Sequence, residues 1–150
     1  MSFVGNKILR NGLAVLAGLG VGSAVNMALI TLNTSVLFPM PAGVTFDNAA
    51  AFGEYIRSLP LAAYITVFLA HYSQAVVGGY LAARLACCEK SAAVACYLVS
   101  GLTMVGAIVN AATLPVPAWT WVEIPVFPVL AYYTAKWAVS AMKTTNSKSS

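Results

Sequence analysis

NGLAVLAGLGVGSAVNMALITLNTSVL, from Asn11 to Leu37, holds no Asp, Glu, Lys, Arg or His. A helix needs roughly 20 consecutive apolar residues to cross the hydrocarbon of a bilayer, and this run is longer. Three further apolar runs follow, from Pro60 to about Leu85, Ala92 to Leu114 and Trp119 to Met142. In lipid every backbone N–H and C=O must find its partner inside the segment, which helices achieve. No period-2 alternation points to a barrel. The expected fold is all-α: an antiparallel four-helix transmembrane bundle occupying residues 1–142 as one domain.

Composition agrees. Of 150 residues, 60% are hydrophobic and only 8% are charged, against about 25% charged in soluble domains. So few charges cannot coat a water-facing surface, and lipid is the missing solvent. The charges gather at the ends of the runs. Lys7 and Arg10 precede the first; Arg84, Glu89 and Lys90 separate the second and third; Lys136, Lys143 and Lys148 lie at or after the end of the fourth. Of the eight basic residues only Arg57 falls on the other side, with Asp47 and Glu54. By the positive-inside rule both termini face the cytoplasm, matrix or stroma, in a bacterial inner membrane or an organelle membrane. That rule accounts for the net charge of +4, and no basic, aromatic-interleaved surface for nucleic acid is present. The first run is too long for a cleaved signal peptide and reads as a retained anchor.

Between the first two runs, Phe38-Pro39-Met40-Pro41-Ala42-Gly43 ends the first helix, because proline removes donors and fixes φ. Asp47 then offers a cap for a short amphipathic helix, with Phe52, Tyr55 and Ile56 on one face and Glu54 and Arg57 as an i, i+3 pair. The expectation is a lid over the outer mouth of the bundle. The tail from 143 to 150, rich in Ser, Thr, Asn and Lys, has nothing to bury and is expected to be disordered. Asn33 before Pro39-Met40-Pro41-Ala42 echoes Asn110 before Pro115-Val116-Pro117-Ala118, as a duplicated hairpin or a repeated terminator would.

The buried polar residues carry whatever chemistry there is. Gly18, Gly22, Asn26 and Asn33 share one face of the first helix. His71, Ala75, Gly78 and Ala82 share one face of the second, with Gln74 and Gly79 beside it. Small residues let helices approach closely in lipid, so Gly18, Gly22, Gly78 and Gly79 are expected packing positions. At about 1.5 Å rise per residue, Asn26 and His71 reach the same depth near the midplane, with Gln74 one turn away. Asn26, His71 and Gln74 thus form a candidate midplane cluster. Asn33, Asn110 and Glu123 form a candidate outer polar layer, with Trp119 and Trp121 in the aromatic belt. Glu123 is read either as standing in water at the N-terminal end of the fourth helix or as a carboxylate facing a wet cavity, able to bind a cation or take a proton, and Pro125 and Pro128 shift or kink that end.

His71 is the only histidine. It can glue helices by hydrogen bonding, relay a proton, or ligate a haem iron or chlorophyll magnesium in a larger complex. No second ligand is spaced to complete a metal site, and no cofactor is expected of the chain itself. Cys87, Cys88 and Cys96 fall inside or at the basic side, so no extracytoplasmic disulfide is implied. The Cys87–Cys88 pair reads as two interfacial residues or an S-acylation site. Phosphate loops, HExxH, GxSxG and CxxC are absent from the sequence.

Leu37-Phe38-Pro39-Met40-Pro41-Ala42-Gly43, Leu59-Pro60-Leu61, Ala70-His71, Gly78-Gly79 and Ala82-Ala83-Arg84 together resemble a group of small bacterial four-helix integral membrane proteins of unknown function. The resemblance lies mainly in residues 37–85, and Gln74 and Cys87–Cys88 depart from its pattern. It implies that His71 and the glycines form a packing unit, and it implies no activity or substrate. The function expected from all this is that of a non-enzymatic structural or accessory subunit of a larger membrane assembly, with other membrane subunits or further copies as partners. The alternative is a small-solute, ion or proton transporter or channel built on Asn26, His71 and Gln74.

Overall fold

The computed structural model describes residues 3–45 and 47–147. Among them there is no strand. Five helices carry the chain. α1 spans Phe3–Leu32 and continues as a π-helical turn over Asn33–Leu37; α2 is Ala49–Ser58; α3 runs Leu61–Leu85 with a π-helical stretch at Gln74–Gly78; α4 is Glu89–Thr113; α5 is Val126–Ser147. A 3-10 helix, Ala118–Glu123, precedes α5. Three of these helices, Asn6–Leu37, Leu61–Leu85 and Glu89–Thr113, are long and apolar enough to cross a membrane.

Local chemistry sets most boundaries. α1 ends where Phe38 N–H reaches back to Asn33 C=O at 2.8 Å and Met40 N–H to Thr34 C=O at 3.1 Å, just before Pro41 turns the chain. Gly43, at φ +85°, supplies the left-handed residue of that turn. α2 is capped by Asn48, whose Oδ1 accepts from Ala51 N–H at 3.2 Å. Asp47 was the expected cap, but the helix begins one residue later. Leu59 is extended, as a residue before proline should be, and Pro60 opens α3.

The expected fourth helix, Trp119 to Met142, is displaced along the chain. Pro125 has no N–H to give to a preceding turn, so the stretch before it closes as a 3-10 helix and regular helix begins at Val126. At its other end α5 extends to Ser147, through most of the segment expected to be disordered. Lys143 there meets Glu89 at 3.4 Å. Residues 148–150 of that tail lie outside the described residues.

α1 and α3 pack antiparallel in a single register. Arg10 Nη2 donates to Ala86 C=O at 3.2 Å and Arg10 Nε to Leu85 C=O at 3.0 Å. Gly18 faces Gly78, Gly22 faces Gln74, and Asn33 Nδ2 donates to Ala63 C=O at 3.4 Å. A Cβ added at Gly18 would run into the Gly78 carbonyl and come 2.7 Å from Ala82 Cβ; one added at Gly22 would come 2.7 Å from the Gln74 carbonyl. Gly79 is tight against α4, with Cys96 Sγ 3.0 Å from a Cβ there. The four expected packing glycines are therefore close-approach positions. Below them, toward the end bearing Arg10, Lys90 and Lys143 (the basic end), α3, α4 and α5 share a core made largely of alanine: Ala82, Ala83, Ala92, Ala95, Ala135 and Ala138.

The other end is roofed by α2. Tyr55 and Ile56 are buried, with Tyr64 of α3 against them. Tyr55 Oη donates to Phe38 C=O at 2.5 Å and Tyr64 Oη to Ile56 C=O at 2.6 Å. Tyr64 shares the Ile56 carbonyl with Leu59 N–H, and the two phenols tie the roof to both neighbouring segments. Glu54 and Arg57 remain exposed.

Candidate functional site

Beneath the roof lies a cavity of about 480 Å³ between α1, α2, α3 and α4. Its wall is mainly apolar, with Ile30, Phe52, Ile56 and Val67 among the residues that form it. Its polar groups are Asn26, Asn33, Thr34, Tyr55, His71 and Asn110. A recess of about 70 Å³ adjoins it, sharing Tyr64, His71 and Asn110 and ending at Thr120 and Glu123.

The chemical centre is a pair. His71 Nδ1 lies 3.0 Å from Glu123 Oε2, and the two side chains are 8% and 4% exposed. Where the carboxylate is ionised it only accepts, and the imidazole then donates from Nδ1 in this contact. Tyr72 Oη donates to the Glu123 backbone carbonyl at 3.3 Å and braces the acidic residue from α3. Nε2 of His71 has no hydrogen-bond partner among the described residues.

Glu123 turns inward because of the 3-10 helix. With three residues per turn, i and i+3 eclipse. Thr120 and Glu123 therefore share one buried face, while Trp119, Trp121 and Val122 point out. Thr120 fixes the start by donating from both its N–H, at 3.0 Å, and its hydroxyl, at 2.8 Å, to Pro117 C=O. Glu123 was expected in water at a helix N-terminus; it is 3% exposed. The spacing Pro117, Thr120, Glu123 after a Pro-x-Pro terminator is the signal that could have shown this.

The expected groupings are redistributed. Asn26 is level with Ala70 and so next to His71, and both line the cavity, but the imidazole bonds Glu123 instead. Gln74 does not join them: its Nε2 donates to Ser23 Oγ at 3.4 Å, across the α1–α3 contact. Asn33 and Asn110 both line the cavity, and Asn110 also lines the recess with Glu123. Asn33 is 1% exposed, and its Oδ1 has no hydrogen-bond partner. Buried carbonyl oxygens without partners are uncommon. Tyr64, Tyr72 and Thr120 were not anticipated as part of this centre. Among the described residues, no group of three or more His, Cys, Asp or Glu is placed to hold a metal ion.

A second polar cluster sits at the basic end. Asn11 of α1 donates from Nδ2 to Ser91 Oγ at 3.0 Å and accepts from Cys87 N–H at 3.0 Å. Cys88 Sγ is 3.3 Å from Ser91 Oγ and 3.7 Å from Cys87 Sγ. Hydrogen bonding from Ser91 pulls the Cys88 thiol down to about 7.

Compared with protein-family models, with curated proteins and with solved structures, this chain finds no match.

Proposed function

We propose that this is a four-crossing integral membrane protein that takes a small, largely apolar solute into the cavity beneath α2, as the binding step of a transporter. The observation that carries the reading is the buried His71–Glu123 pair bordering that cavity. Ion pairs in membrane interiors are costly to bury and mark solute or proton paths far more often than they serve packing.

The fourth crossing is α5. Its 22 residues reach about 33 Å. Ala131, Ala135 and Ala138 are buried, and Val129, Tyr132, Tyr133 and Trp137 are exposed, as lipid requires. Lys136 lowers its apolar character, but a lysine stem can snorkel to the headgroups. Both termini then lie at the basic end, on the cytoplasmic, matrix or stromal side.

The polar set of this transporter reading differs from the Asn26, His71 and Gln74 cluster. Glu123 takes the place of Gln74. The accessory-subunit expectation draws on little extramembrane mass, several small-residue faces and the lack of a catalytic motif, and the exposed apolar side chains are what lipid itself demands. The resemblance to small bacterial four-helix membrane proteins agrees with the plan and supplies no substrate.

The test is binding in lipid nanodiscs, with 2-phenylethanol as probe and saturation-transfer NMR as readout. Wild-type protein should bind the alcohol. Ile30→Trp, which fills the cavity from α1, should weaken binding by about tenfold or more. Equal binding by both proteins would remove the cavity from the function.

A further inference from the structure

The wall of the cavity is rich in acceptors and poor in positive charge. Besides His71, its polar groups are uncharged carboxamides and hydroxyls. The titratable groups facing the pair are few. α3 contributes Tyr64 and Tyr72, α2 contributes Tyr55, and the 3-10 helix contributes Glu123 itself. α1 and α4 present only Asn26, Asn33, Thr34 and Asn110. Glu54 and Arg57 on α2 are exposed. No Lys, Arg or Asp lines either the cavity or the recess.

This composition constrains the net charge. In an apolar setting an uncompensated charge is expensive. The His71–Glu123 pair is electrically neutral while it holds the proton that makes the imidazole cationic or the carboxyl neutral. Losing that proton leaves one negative charge and nothing in the chain to balance it. A monocation in the cavity would balance it. With Nδ1–H directed at Glu123, the deprotonated Nε2 is an acceptor without a partner among the described residues. The buried Asn33 Oδ1 is a second acceptor without one. An ammonium group is a pure donor. Tyr55 and Tyr64 put aromatic rings in the cavity lining, where aromatic surface favours a cation, and the apolar wall suits a hydrocarbon body.

Resting on the reading that this cavity is a solute site, we propose that its ligand is a hydrophobic organic amine in protonated form, bound in exchange for one proton released from the His71–Glu123 pair to solvent. Charge balances: one positive charge enters as one leaves. The coupling follows from mass action, because ligand and proton compete for the same negative charge.

The experiment is calorimetric titration of the full-length protein in nanodiscs with 2-phenylethylamine and, separately, its uncharged counterpart 2-phenylethanol. Runs at several pH values use two buffers of different ionisation heat so that proton release is counted. Amine affinity should rise by up to about tenfold per pH unit with one proton released, by linkage. The alcohol should bind with no pH dependence. In Glu123→Gln, amine binding should lose its pH slope and its proton release, with circular dichroism reporting whether the variant is folded. The wild-type slope alone decides the matter if that variant does not fold. Alcohol binding together with a flat amine profile, or amine binding without proton release, overturns the exchange and leaves the solute site standing. Failure of both probes to bind overturns the exchange and the solute reading together.

Discussion

The two ends of this molecule are built by opposite means. At the basic end, alanines and glycines bring α1, α3, α4 and α5 so close that an added Cβ at Gly18 or Gly78 meets backbone. At the roofed end, carboxamides, phenols and the buried His71–Glu123 pair surround open space. Both π-helical stretches, Asn33–Leu37 and Gln74–Gly78, flank the transition, and such widened turns recur at functional sites. The lesson is a division of labour. In lipid, close packing rather than the hydrophobic effect holds helices together, so one end must be dense if the other is to stay hollow.

The contrast can be broken hardest at the pair. His71→Leu leaves Glu123 buried without its partner and should cost about 3–5 kcal/mol, seen as a lower midpoint in detergent unfolding. His71→Leu combined with Glu123→Leu should recover most of the loss. A double variant as unstable as the sum of the singles would mean the two residues do not act as a pair.

Next comes the dense end. Gly18→Ala forces a methyl into the Gly78 carbonyl and should destabilise by about 1–3 kcal/mol. Gly20, two residues on and roughly opposite on the same helix, has nothing within 4 Å of a Cβ. Gly20→Ala should instead stabilise, by about 0.4–1 kcal/mol. Equal effects at the two glycines would deny that α1 meets α3 along the Gly18–Gly22 face. At the hollow end, Ile30→Phe adds comparable bulk beside the cavity and should shift stability by under about 0.5 kcal/mol. A loss matching Gly18→Ala there would mean the space is not available to side chains.

The smallest effect is chemical. With the Cys88 thiol at about 7, its alkylation rate should climb with pH and level off above neutrality, because the thiolate is the nucleophile. Ser91→Ala removes the principal stabilising hydrogen bond and should move the half-maximal pH upward. An unmoved profile would show that Ser91 does not stabilise the thiolate.

Several features were legible in the residues. The i, i+4 spacing of Gly18 and Gly22, set against Gly78 and Ala82, marked the α1–α3 contact, because helical periodicity is a local property and small side chains leave only one way to meet. Pro39 and Pro41 marked the end of α1, and Phe52, Tyr55 and Ile56 the buried face of α2. Gln74 misled: it shares the His71 side of α3 in projection, yet in the antiparallel register it falls opposite Gly22, next to Ser23. Glu123 misled more. An α-helical reading directs it to water, and only a 3-10 turn ahead of Pro125 brings it inward.

Thus the order of residues alone determined that the chain is helical and which faces are small enough to touch, and of its four apolar runs three form helices long and apolar enough to cross a membrane, since length, polarity and period are written one residue at a time. Tertiary structure decided that His71 meets Glu123 rather than Asn26 or Gln74, and that a cavity remains beside them. Those outcomes depend on how far helices distant in sequence slide and rotate against one another, which no local pattern encodes.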